Sequence, residues 1–98
     1  MTYNGLTPIH PGLYLAEILE ALAISQASFA RTIGVSAMRI SHIVNGTRPV
    51  TAELALLFAK VFEQSPQYWL NLQASYDLKT AEKSLAKRLS SIQPMAHA

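Results

Sequence analysis

Arg31, Arg39, Arg48 and His42 are the residues of this 98-residue chain whose grouping suggests a chemistry. They fall within residues 21–52, a window that contains no Asp or Glu and carries +3. Residues 1–20 hold Glu17 and Glu20 without a base, giving −2, and residues 53–98 set four acids against five bases, giving +1. The net charge of +2 therefore conceals a basic middle third. A segment cleared of carboxylates suits a polyphosphate partner, because each acid facing phosphate would repel it. Catalysis is not indicated. His10, His42 and His97 are far apart, the first and last in terminal segments expected to be flexible, and the six carboxylates are scattered. The chain has no Gly-rich phosphate loop, no His-Glu-x-x-His pair and no nucleophile elbow. It also has no cysteine, which excludes disulfides, thiolate zinc sites and cysteine nucleophiles. The expectation is a binding protein that is not an enzyme, with no catalytic residue, metal or cofactor.

Basic groups must be aimed outward by regular elements, and the apolar spacing predicts helices only. An arm over residues 1–10 ends at His10-Pro11-Gly12, where Pro11 suits a first helical turn. Leu15, Ile18, Leu19 and Leu22 then follow the one-faced helical period. Ser25 is an N-cap for a second, short helix with Phe29, Ala30 and Ile33 inside, ended by Gly34. Ser36 caps a third, whose inner residues are Ile40, Ile43 and Val44 and which stops at Asn45-Gly46. Leu54, Leu57, Phe58, Val61 and Phe62 mark a fourth helix after Pro49 and Thr51. Ser65-Pro66 opens a fifth, with Tyr68, Trp69, Leu72 and Tyr76. A further stripe, Leu78, Ala81, Leu85, Leu89 and Ile92, extends it before a terminal Gln93–Ala98 expected to fray. No segment alternates like a strand. The fold class is all-α: five short helices and a C-terminal helical extension.

Residues 25–48 have the outline of a helix-turn-helix, whose second helix enters the DNA major groove. Setting Ile40 inward at ~100° per residue turns Met38, His42 and Asn45 outward and puts Arg39 and Ser41 on the flanks. Ser36, Ala37, Met38, Arg39 and His42 are thus the candidates to face bases, by hydrogen bonds or by methyl contact with thymine. Gln26, Ser41, Asn45, Thr47 and Arg48, near helix starts and in the following loop, are the candidates for the phosphate backbone.

Trp69, Tyr68, Leu72 and Tyr76 are first of all core candidates. The C-terminal stretch nevertheless carries more apolar positions than one helix face can bury, which suggests a two-fold seam. One recognition helix reads few base pairs, and a dimer presents two of them ~34 Å apart. A homodimer is expected, with Trp69, Leu72, Tyr76, Leu78, Leu85 and Leu89 contributing. The longest apolar run, Leu54–Ala59, is far short of the ~20 residues of a membrane span. The expected division is an arm over 1–10, a DNA-binding domain over 11–77 and an extension over 78–98, in a cytoplasmic protein.

Particular motifs narrow the reading. They are His10-Pro11-Gly12, Ser25-Gln26 with Phe29-Ala30, Gly34-Val35-Ser36, Ile40-Ser41 and Asn45-Gly46-Thr47-Arg48-Pro49-Val50-Thr51. To these are added Ser65-Pro66-Gln67-Tyr68-Trp69-Leu70-Asn71-Leu72-Gln73 and Tyr76-Asp77-Leu78. Together they resemble the HigA/VapI-type antitoxins of the phage-repressor (XRE, Cro/C1-like) helix-turn-helix class, over about residues 10–82. The resemblance implies a phage-repressor-like bundle that dimerises, binds double-stranded operator DNA and represses its own operon. It also implies capture of a HigB-type, RelE-like mRNA-cleaving toxin. Two departures stand out: Leu13 where many relatives carry Glu, and Glu63-Gln64 in place of a glycine, expected to change only the turn. The alternatives are a stand-alone XRE-type repressor without a toxin and an interaction module that no longer binds DNA.

Overall fold

Each helix of this chain starts where a side chain can satisfy a free backbone N–H. The computed structural model describes residues 7–96, so most of the expected arm and His97 lie outside the described residues. Five helices follow in order: α1 (Pro11–Ala21), α2 (Gln26–Ile33), α3 (Ala37–Val44), α4 (Ala52–Phe62) and α5 (Pro66–Ser91). The described residues form no strand. Ser25, Ser36, Thr51 and Ser65 cap α2 to α5 with their hydroxyl oxygens, as their types lead one to expect. The cap of α1 is the imidazole of His10, whose Nδ1 accepts the Gly12 N–H at 2.9 Å. His10 is therefore a built part of the fold, which corrects its reading as a residue of a flexible end.

Helix ends share a second device, a single residue in the left-handed region. Gly34 ends α2 at φ 75°, and the Val35 N–H then returns to the Ala30 carbonyl. Gly46 follows α3 at φ 76°. Ala23 (φ 57°) and Glu63 (φ 55°) do the same after α1 and α4 without being glycines. Gly12 has a different task. A Cβ there would lie 1.8 Å from the Ile43 carbonyl oxygen, so only glycine lets α1 seat directly on α3.

The core is continuous through all five helices. Leu15 and Leu19 of α1, Phe29 and Ala30 of α2, Ile40 and Ile43 of α3, Leu54 and Phe58 of α4 and Trp69 of α5 are all buried in it. Phe29 stacks on Phe62 with ring centroids 5.4 Å apart, and Phe58 meets Trp69 edge-on at 5.1 Å. Burying each of the large side chains contributes about 1.5–3 kcal/mol, so this cluster is the main source of rigidity beneath α3. Gln64 and the buried indole explain one sequence departure, since Trp69 Nε1 donates to Gln64 Oε1 at 2.8 Å. Gln64 thus does more than alter the turn. It satisfies a polar group that would otherwise be buried without a partner.

The fifth helix runs unbroken through 26 residues, so the C-terminal extension is its second half. Trp69 and Gln73 of its first turns are buried, whereas every residue from Thr80 to Ile92 is exposed. That distal half carries the molecule to a long dimension of 53 Å against 27 and 22 Å across.

Candidate nucleic-acid interface

Packing on one side of α3 determines what it offers on the other. Ile40 and Ile43 are fully inside, leaving Met38 68% exposed and Ala37 and Ser36 open at the helix start. Ser36 also works as the cap, its Oγ accepting the Arg39 N–H at 3.1 Å. A groove of about 450 Å³ runs along this face, lined by Ser36, Met38, Arg39, His42, Arg48 and Thr51 among others. Four of the five candidate base-facing residues therefore share one concavity with the loop arginine; Ala37 sits beside it on the exposed first turn. Met38 adds an apolar, polarisable surface at its rim.

The loop after α3 is built as firmly as the helix. Gly46 N–H donates to the Ile43 carbonyl at 3.0 Å and Thr47 N–H to the His42 carbonyl at 2.9 Å, closing the helix end. Thr47 Oγ1 also donates to the His42 carbonyl at 3.1 Å, and Asn45 Nδ2 donates to Ser41 Oγ at 3.4 Å. Further along, the buried Val50 N–H donates to Gln73 Oε1 at 2.7 Å, and Gln73 Nε2 donates to Asp77 Oδ1 at 3.0 Å. The His10 ring closes the other side: it meets Tyr76 edge-on at 4.9 Å and leaves only 3.5 Å to a Cβ built on Gly46. Burial holds this imidazole below its usual pKa, while the Arg48 backbone and the Asp77 carboxylate act in the opposite direction. Residues of three sequence motifs, His10, Gln73 and Asp77, thus clamp the loop that presents Arg48.

The candidates for backbone contact divide into two sets. Arg48 lines the groove, whereas Asn45 and Thr47 are exposed on the same loop outside it. Gln26 is exposed at the first position of α2, where free N–H groups and the helix dipole favour an anion, and Ser41 is half-buried on α3. Spacing alone also missed two things. Thr51 is a groove residue as well as a cap. The acid-free window is not acid-free in space, because Glu53 folds back until its Oε1 lies 3.3 Å from Arg39 Nη2.

The expected seam residues also separate. Trp69 is wholly buried within its own core, which corrects its assignment to a seam: an indole surrounded by Phe58, Phe62 and Gln64 has no surface left for a second chain. Leu72 packs partly against the same core and Tyr76 is half-buried against His10. Leu78, Leu85 and Leu89 are exposed.

Known proteins resemble this chain in sequence and in shape. The helix-turn-helix family matches residues 15–69, from inside α1 to the first turn of α5. Virulence-associated protein I of Dichelobacter nodosus is 41% identical over 81 residues, covering 82% of this chain and 75% of that protein. The structure of an addiction module antidote protein of the HigA family from Coxiella burnetii superposes with a TM-score of 0.88 at 40% identity, over 92% of this chain and all of that one. Antitoxin HigA of Pseudomonas aeruginosa, solved with the higBA promoter, superposes with a TM-score of 0.86 at 38% identity, over 91% and 99% of the two chains.

Proposed function

We propose a function from one premise: the chain belongs to the helix-turn-helix family and, within it, to the HigA/VapI-type group. On that premise it is a sequence-specific double-stranded-DNA-binding antitoxin. It represses its own toxin–antitoxin operon as a dimer and neutralises a HigB-type, RelE-like mRNA-cleaving toxin. One observation carries the DNA-binding half: Ser36, Met38, Arg39, His42 and Arg48 converge on a single groove along the outward face of α3. A guanidinium can donate twice to guanine O6 and N7, an imidazole N–H can donate to an acceptor on a base edge, and the Met38 and Ala37 methyls fit a thymine methyl. Arg48, Thr47 and Asn45 on the clamped loop, with Gln26 at the start of α2, are placed to hold phosphates and so to fix register. The Pseudomonas HigA relative, solved with the higBA promoter, supports DNA binding by this chain. Leu78, Leu85 and Leu89 form the dimer seam. The chain is assigned no cofactor or metal, and its place is the cytoplasm.

Salt separates DNA binding from the interaction-module alternative. On a log–log plot, duplex affinity is expected to fall by ~0.9 per phosphate contact. Arg48→Ala is expected to weaken every duplex alike and to reduce that slope by ~1. Arg39→Ala or His42→Ala should instead relax sequence preference. A salt-independent affinity, or an Arg48→Ala variant that binds random duplex as the parent does, would overturn the placement of this face on DNA. The neighbouring gene decides between antitoxin and stand-alone repressor: a small basic ribonuclease there supports the former.

A further inference from the structure

Arg39 and Glu53 are 14 residues apart and sit on different helices, yet Arg39 Nη2 donates to Glu53 Oε1 at 3.3 Å at the edge of the α3 groove. We propose that Glu53 is a specificity-determining residue: it positions the Arg39 guanidinium for base reading and repels non-cognate duplexes. The proposal deepens the DNA-binding reading and rests on it. A guanidinium has five N–H donors in a rigid fork, so a bond to Glu53 along one edge leaves donors for guanine O6 and N7 on another. Arginine is long and loses much rotamer freedom when it reads a base, and holding it beforehand lowers that loss. The carboxylate is itself well placed. Glu53 lies in the first turn of α4, where the dipole favours an acid, one residue beyond the Ala52 that follows the Thr51 cap. It is also an acid that the folded chain brings onto the Arg39 side of the basic window, and there it opposes any phosphate that Arg39 does not compensate by pairing with a base.

The pair adds little to folding. Its side chains are 39% and 69% exposed, and exposed pairs of this kind contribute little, so variants should remain folded. The probes are a duplex selected by the parent protein from a randomised pool and a duplex of random sequence. Their affinities are compared for the parent, Glu53→Gln, Glu53→Asp, Arg39→Ala and the double variant Arg39→Ala/Glu53→Gln. Glu53→Gln is expected to bind random duplex several-fold more tightly and to lower the selected-to-random ratio by about tenfold. Glu53→Asp should recover part of that ratio. In the Arg39→Ala background, Glu53→Gln should still tighten random binding but leave the ratio where it was. An unchanged ratio for Glu53→Gln overturns the proposal, and so does a loss of ratio that persists without Arg39. Either result leaves the DNA-binding reading standing. If the parent enriches no sequence from the pool, the DNA-binding reading fails and this proposal with it.

Discussion

His10 joins three parts of the chain that are remote in sequence. Its Nδ1 caps α1, its ring covers Gly46 after α3, and its edge meets Tyr76 of α5 near Asp77. Only the neutral ring can accept the Gly12 N–H through Nδ1, and burial lowers its pKa in agreement with that role. The sign follows from linkage. A histidine whose pKa is lower in the folded state contributes stability that is fully present above the free value, near ~6.5, and is lost as pH falls below it. The melting temperature should therefore drop on acidification below about pH 6.5, against the opposing pull of Asp77 and the Arg48 backbone. His10→Asn keeps an N-cap acceptor without titrating. It should lower stability at neutral pH through the lost ring contacts yet flatten the decline between pH 7 and 5, as read by thermal melts at about half-unit steps. A decline as steep as the parent's would show that another group is responsible. At this scale the sequence displayed His10-Pro11-Gly12 as a motif but not its purpose, because the partners of His10 and Gly12 are supplied by α3 and α5.

Caps and stops make the five helices largely self-announcing. Ser25, Ser36, Thr51 and Ser65 start four of them, and Gly34 and Gly46 finish two, each by a local bond that the residue type itself encodes. Glu63 is the exception worth testing, since it holds φ 55° where a side chain is disfavoured. Glu63→Gly should stabilise the protein by about 1 kcal/mol, or ~4–8 °C in melting temperature, without altering DNA binding. A loss of stability would mean that the Glu63 side chain makes a compensating contribution. Gln64 must be left in place in that experiment, because it is the acceptor for the buried Trp69 indole N–H. The helix end built on Ala23 escaped the sequence for a simple reason: alanine does not favour the left-handed region, and only the packing that follows imposes it.

The whole molecule is a compact bundle with a long, exposed rod attached. From Thr80 to Ile92 every residue is exposed, with Leu85, Leu89 and Ile92 at 36%, 50% and 62%. A lone helical tail of this kind leaves apolar surface in water, and an isologous contact between two copies would remove it. Sedimentation at micromolar concentration should therefore give a dimer. The pair Leu85→Lys and Leu89→Lys should produce a monomer with the bundle intact, and should weaken binding to a two-half-site duplex far more than to a single half-site. A parent protein that sediments as a monomer would defeat this placement of the seam. Trp69, closer to the bundle, is already fully committed within one chain.

Local chemistry by itself determined that this chain is all-α, where each helix begins and which face of α3 turns outward. Those properties depend on hydroxyl caps, left-handed glycines and the helical period, all of which act over a few residues. Tertiary structure alone decided how the outward face is supported and tuned. It brought Glu53 to Arg39, Gln73 to Val50, Gln64 to Trp69 and His10 to Gly46 and Tyr76, pairs separated by 5 to 66 residues. It also withdrew Trp69 from any seam by giving it a core of its own. Such contacts have no local signal, because a hydrogen bond between distant side chains forms only after the core between them has packed.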